Sequence, residues 1–306
     1  MPESIPTVDF PRDPGAPLKA YVKAALEPFA GTIDCDTLDE VPIELADGKV
    51  PTVAHELQLF HGPTEAFKDI GCRMAVSLYR QKMLDNPRLV VATSGDTGGA
   101  VAAAAARLGT RATVLYPRGK ISPYQQAQMT HALDDPERTV AALAVDGDFD
   151  ACQALAKRAV AESDGELLSA NSVSLARLLP QIGYHAWAAS RIDEPNPTFV
   201  VPSGNMGNVC SAMMARQMGA NIGHIHIACN ANDSIPRHLN GVDVHYIPKA
   251  TVETPATAMD VGAPSNWVRI RHMLVNGYEG RLTASSISNE AILRLSEDLS
   301  VCPHTA

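Results

Sequence analysis

Short β-branched runs alternate with alanine-rich helical runs along this chain, and that alternation most constrains its fold. Residues 88–92 read as a strand, 93–99 as a glycine-rich turn and 100–108 as a helix stopped at Gly109. A strand over 112–116 ends at Pro117, followed by a helix over 123–133, a strand over 140–145, a helix over 149–161 and a short strand over 167–170. The pattern recurs as a strand at 198–201, a turn at 202–208, a helix at 209–218 ending at Gly219 and a strand at 225–228. Repeated βα units imply parallel sheets with helices on both faces. Pro195-Asn196-Pro197 is the best surface break, and no internal repeat or low-complexity linker occurs.

Composition removes several function classes. The 306 residues suffice for two domains sharing a substantial core, and a formal charge of −9 gives no electrostatic footprint for nucleic acid. No apolar run approaches the ~20 residues a membrane span requires. Residues 1–6 have neither a basic region nor an apolar core, so no signal peptide is expected. The six cysteines, at 35, 72, 152, 210, 229 and 302, form no close pair, which argues against a zinc knuckle or a CxxC redox motif and fits reduced thiols in a cytoplasmic protein. The ten histidines show no HExxH spacing, so no metal site is expected; His224 and His226 alternate within an apolar run and suit a strand.

Three segments carry candidate chemistry. In His61-Gly62-Pro63-Thr64-Glu65-Ala66-Phe67-Lys68-Asp69, Pro63 fixes φ at the start of a helix, Thr64 can cap it, and Phe67 brings apolar surface beside the Lys68 amine. Desolvation favours the neutral amine that a Schiff base needs, whereas the plainer reading is a solvated Lys68–Asp69 ion pair. Two turns, 93–99 and Ser203-Gly204-Asn205-Met206-Gly207-Asn208, lie between a strand and a helix, where free N–H groups and the helix dipole attract anions. Either could be a structural βα turn alone. The second is not GxGxxG, so a dinucleotide reading is weak.

The lysine stretch closely resembles the lysine motif of threonine synthases, which are pyridoxal-phosphate (PLP) enzymes. The resemblance implies that Lys68 binds PLP as a Schiff base and later shuttles protons. It implies a phosphate cradle made by Ser203, Gly204, Asn205, Met206, Gly207 and Asn208. It also implies that 93–99 faces the cofactor ring and the substrate carboxylate, with Asp96 near the pyridine 3′-oxygen and Ser94, Thr97 and Gly98 offering donors to substrate. Asn171-Ser172 leading into Arg177 and Gln181 is similar to the family's Asn-Ser segment before an Arg-bearing helix, whose loop donors and cation could meet a phosphate; a solvated helix arginine is the alternative. Pro303-His304-Thr305-Ala306 resembles the segment whose Thr305 hydroxyl would meet the pyridine nitrogen. The stretches 258–261 and 264–266 look like the family's Met-Asp…Pro-Ser-Asn run, with no chemistry assigned. The string 95–99 differs by one residue from the GDSGG of trypsin-like proteases, but the βα alternation argues against that all-β family.

Taken together, these readings give an α/β protein with the PLP-dependent tryptophan-synthase β-like fold (fold type II), built from two doubly wound parallel-sheet domains. The expected division is a smaller mobile domain over 85–190 and a larger PLP-binding domain from 1–84 and 191–306. No Ser-Thr-Arg-Gly string occurs near the start, and the family continues past the Pro-His-Thr-Ala segment, so the larger domain is expected to be incomplete at both ends. The implied reaction converts O-phosphohomoserine and water to L-threonine and phosphate. A related phospho-lyase giving 2-oxobutyrate and a non-catalytic truncated paralogue stay open. The implied partner is a small phosphorylated amino acid, in a cytoplasmic monomer or homodimer without nucleic acid or membrane.

Overall fold

The computed structural model describes residues 5–48, 54–82, 87–130 and 139–298. In chain order it contains α1 (Leu18–Ala30), β1 (Glu44–Asp47), β2 (His55–Gln58), α2 (Lys68–Lys82), β3 (Arg88–Ala92), α3 (Asp96–Arg107), β4 (Arg111–Pro117), α4 (Pro123–Thr130), β5 (Val140–Val145) and α5 (Phe149–Ala161). It continues through β6 (Leu167–Ser169), α6 (Leu175–Ala189), β7 (Thr198–Pro202), α7 (Gly207–Gln217), β8 (His224–Cys229), α8 (Ser234–Leu239), α9 (Trp267–Val275), β9 (Arg281–Ser286) and α10 (Asn289–Asp298). Backbone contacts separate two units, Phe29–Pro180 and a second made of Met1–Pro28 with Gln181–Ala306. Residues 29–84 thus group with 85–180, where the sequence suggested a boundary at 85, because α2 packs along α3.

In the 29–180 unit, four parallel strands lie in the order β5-β4-β3-β6 beside a separate β1–β2 hairpin. Successive side chains of a strand point to opposite faces. Accordingly Leu89 and Val91 pack with Cys72 and Val76 of α2 and Ala100 and Ala104 of α3, whereas Val90 and Ala92 pack with Cys152 and Ala156 of α5. A sheet buried on both faces needs a continuous apolar run, which is why 88–92 does not alternate apolar with polar. Strand order reverses at β3 and β6, the kind of switch point outside whose carboxyl ends α/β sheets bind ligands. Asn171 ties the two strands there: its Oδ1 accepts from the Ala92 N–H at 3.1 Å and its Nδ2 donates to the Ala92 carbonyl at 2.7 Å.

The second unit holds the parallel sheet β7-β8-β9. Val201, Ile225, Ile227, Cys229 and Ala284 are buried, and α7 and α8 pack on these strands. The alternate positions include exposed Val200 and a polar row. In that row Thr283 Oγ1 lies 2.8 Å from both His224 Nε2 and His226 Nδ1, and His226 Nε2 lies 2.9 Å from Ser285 Oγ.

The βα units expected from sequence are present, with ends shifted by a few residues at α3, β4, α7 and β8; residues 131–133 of the helix expected over 123–133 lie outside the described residues. The helix expected to start at Pro63 begins at Lys68. Among the described residues no helix is long and apolar enough to cross a membrane.

Gly98 shows how closely α3 sits on its sheet. A Cβ there would lie 2.3 Å from Met129 Sδ, 2.6 Å from Thr93 Cγ2 and 2.9 Å from Val114 Cγ1. Gly98→Ala should therefore destabilise the protein by about 1–3 kcal/mol, read as a lower urea midpoint.

Candidate active site

Lys68 opens α2, and the turn before it is held by its neighbour Asp69. The buried Asp69 carboxylate accepts from the Thr64 N–H at 2.9 Å and from the Thr64 hydroxyl at 2.6 Å. Thr64 was expected to cap the helix; instead it donates to a carboxylate inside the helix. A Cβ on Gly62 would lie 2.5 Å from Asp69 Oδ2, so the turn closes only around glycine. Burial pushes the Asp69 carboxyl above its usual range, although Thr64 and Arg73 act against that.

Asp69 is thus not the partner of Lys68, and the solvated-pair reading falls. The Lys68 side chain, 14% exposed, reaches Asp96 instead, with Nζ 2.7 Å from Oδ2. Nζ also lies 4.8 Å from the centre of the Phe67 ring, the apolar surface expected there. Burial alone would raise the Asp96 carboxyl, but Lys68 and then Gln125 outweigh it and hold the group below the usual carboxylate range.

Asp96 is the first residue of α3, following β3 through a turn that Thr93 organises. Thr93 Oγ1 donates to the Gly95 carbonyl and accepts from the N–H groups of Gly95 and Gly98, all within 2.9 Å. The Gly98 N–H, expected to face the substrate, bonds to Thr93 Oγ1 and to the Gly95 carbonyl. Ser94 and Thr97 are half-buried in the same turn.

Three α4 side chains that the sequence did not single out reach this region. Gln125 Nε2 donates to Asp96 Oδ1 at 2.7 Å, Gln128 Nε2 to the Thr64 carbonyl at 3.0 Å, and the Tyr124 hydroxyl to Glu65 Oε2 at 2.9 Å. Polar residues at helical spacing in 124–128 were the available signal. Nothing local says what they meet.

Asn171 and Ser172 lie in the loop after β6, beside the 93–99 turn. Arg177 is 3% exposed, and its Nη1 donates to the Ala170 carbonyl at 3.0 Å. It is therefore a buried arginine under the loop and not a solvated helix cation. Gln181 is buried, with its side-chain amide 3.1 Å from the Tyr184 hydroxyl.

In the other unit, the turn 203–206 leads from β7 into α7, whose first N–H groups have no acceptor within the helix. Met206, buried and with φ 60°, turns the chain into the helix. The Ser203 N–H is fixed by the Ala228 carbonyl at 3.0 Å. A Cβ on Gly204 would lie 2.5 Å from the Met259 carbonyl oxygen, while one on Gly207 would meet nothing closer than Asn266 Nδ2 at 3.5 Å.

The asparagines turn part of their side chains to other work than donation into the turn. Asn205 Oδ1 accepts from the N–H and hydroxyl of Ser265, at 2.6 and 2.9 Å, and Asn266 Nδ2 donates to the Asn205 carbonyl at 3.0 Å. Asn208 Oδ1 accepts from the Tyr184 hydroxyl at 2.6 Å and lies 2.9 Å from His185 Nε2. The Pro-Ser-Asn run at 264–266, given no chemistry from sequence, is the buttress of the turn. Asp260 fixes the adjoining segment by accepting from Thr254 and Asn230. Thr305 lies outside the described residues. No group of three or more His, Cys, Asp or Glu able to hold a metal occurs among the described residues.

Each unit by itself offers donors that suit pyridoxal phosphate: in the 29–180 unit Lys68 carries an amine of the kind that binds its aldehyde, and in the other unit the α7 N-terminus carries N–H groups of the kind that bind a phosphate. Comparison with known proteins agrees. Residues 56–306 match the family described as pyridoxal-phosphate dependent enzyme. The threonine synthase of Escherichia coli (strain K12) is 39% identical over 257 residues, covering 77% of this chain and 59% of that protein. A crystal structure of Escherichia coli threonine synthase superposes with a TM-score of 0.80 at 31% identity, covering 98% of this chain and 73% of the other. The PLP-bound threonine synthase of Brucella melitensis gives 0.76 at 26% identity, covering 99% and 77%. The chain spans between half and three-fifths of the length of three curated relatives that it matches. It belongs to the family of pyridoxal-phosphate-dependent enzymes that includes the threonine synthases, and its fold is the α/β fold of that family.

His185, 3% exposed beneath the α7 N-terminus, makes this turn sensitive to acid. Burial pulls its pKa from 6.5 to about 4, against the bonds to Asn208. Between those values the unfolded chain binds the proton and the folded one does not, so stability falls as pH drops through that window. The loss totals on the order of 3 kcal/mol. Urea midpoints at pH 7 and pH 5 should diverge in the wild type and draw together in His185→Gln.

Proposed function

We propose that this chain carries the PLP site of a threonine synthase and acts on O-phosphohomoserine and water to give L-threonine and phosphate. The observation that carries this reading is Lys68 at the head of α2, little exposed and paired with Asp96 at 2.7 Å. Bound PLP would supply an aldehyde for amines and a ring able to take up electrons released at the substrate's α-carbon.

The chain's own residues do the rest. Lys68 would hold the cofactor through its amine and, with that amine free, would take and return protons at Nζ. Asp96 is the counter-charge at that nitrogen. The 203–208 turn binds the cofactor's phosphate through backbone N–H groups at the positive end of α7. Ser94 and Thr97 offer hydroxyl donors to the substrate. Asn171 and Ser172 line the neighbouring loop, and Arg177 adds positive charge beneath it. The buried thiols of Cys35, Cys72, Cys152, Cys210 and Cys229, none of them in a disulfide, support a cytoplasmic setting.

Lys68→Ala should abolish both threonine formation and borohydride capture of PLP, because it removes the covalent partner and the base together. Near-normal turnover by that variant would sink the reading. Accumulation of 2-oxobutyrate in place of threonine from the wild type would assign phospho-lyase chemistry instead.

A further inference from the structure

The buried amide of Gln125 is held on three sides. Its Oε1 accepts from the Ser122 N–H at 3.1 Å, and the Gln125 backbone N–H in turn donates to the Ser122 hydroxyl at 3.1 Å. A backbone N–H can only donate, so the end facing Ser122 is the oxygen and the end facing Asp96 is the NH2 group. The amide lies flat on Gly95, where a Cβ would come within 2.3 Å of Nε2. One carboxylate is thereby shared, with Asp96 Oδ1 taken by Gln125 and Oδ2 by Lys68, each at 2.7 Å. Glu65 pairs with Tyr124, Asp69 with Thr64, and Arg177 with the Ala170 carbonyl, so among the described residues Asp96 is the counter-charge bonded to Nζ.

We propose that Gln125 is a positioning residue for Lys68: by occupying one oxygen of Asp96, it limits how tightly the other holds the amine. The role rests on the reading of Lys68 as the reactive amine. A donor bonded to a carboxylate draws off part of its charge, and in a site little exposed to water that part is not replaced by solvent. Without the donor, the whole charge acts on the ammonium, which must lose a proton before its nitrogen can attack an aldehyde carbon. Gln125 thus keeps Asp96 aligned on Nζ and keeps the pair weak enough to open.

The test needs no cofactor. The rate of Lys68 acetylation by acetic anhydride at fixed pH is measured by mass spectrometry and normalised to exposed Lys157. Gln125→Met should slow labelling by about tenfold, as expected for losing one hydrogen bond to a charged group. Gln125→Glu, which keeps the shape and adds negative charge, should slow it further and serves if the Met variant fails to fold. Asp96→Asn should speed labelling, and the double variant Gln125→Met/Asp96→Asn should match Asp96→Asn alone. Unchanged labelling in the folded Gln125 variants would overturn the proposal. So would equal slowing in the Asp96→Asn background, because Gln125 would then act through packing. Borohydride capture of PLP at Lys68 in the unaltered protein is scored separately, so a failure of the functional reading is told apart from a failure of this one.

Discussion

Parallel pairing sends every crossover the same way, so the turns following the strands of a sheet emerge at one edge. In the 29–180 unit the strand order adds a second constraint, because chains leaving β3 and β6 part company at the reversal. The 93–99 turn and the loop after β6 are left side by side, bridged by the Asn171 amide on Ala92. Lys68 reaches Asp96 because α2 packs along α3, which starts at that same edge. The site's chemistry is local, but its assembly is topological.

This distinction explains what could be read from the sequence. Each βα unit announces itself within ten or twenty residues, by apolar runs and glycine stops, and those units were legible almost to their ends. The β1–β2 hairpin was not, since its strands are four residues each and neither is fully buried. β9 hid for a similar reason: Arg-Leu-Thr-Ala-Ser-Ser has little apolar character, and only pairing with β8 makes it a strand. Lys68 and the 203–208 turn were visible as motifs. Gln125, Tyr184 and His185 were not, because each acts on a residue between 23 and 29 positions away. A sequence pattern carries no record of such partners.

The segments leading into α2 and α7 both store backbone strain. Glu65 and Met206 adopt left-handed conformations, at φ 56° and 60°, shortly before or at the start of α2 and α7. Each costs about 1–2 kcal/mol relative to ordinary backbone. The surrounding bonds offset it: Asp69 on Thr64 at one turn, and Ser265 and Asn266 on Asn205 at the other. Strain of this kind persists only where the surroundings over-determine the conformation, and both turns are braced in that way.

The polar row on β8 and β9 has a consequence of its own. Thr283 has one hydroxyl proton and faces two imidazole nitrogens at equal distance. If it donates to His224 Nε2, it must accept from His226 Nδ1–H, which leaves His226 Nε2 bare to accept from Ser285. If it donates to His226 Nδ1, every assignment reverses and Ser285 becomes the acceptor. With both rings neutral, the two tautomers are therefore not independent. The row has two concerted arrangements, and choosing the proton's seat on one ring decides it on the other.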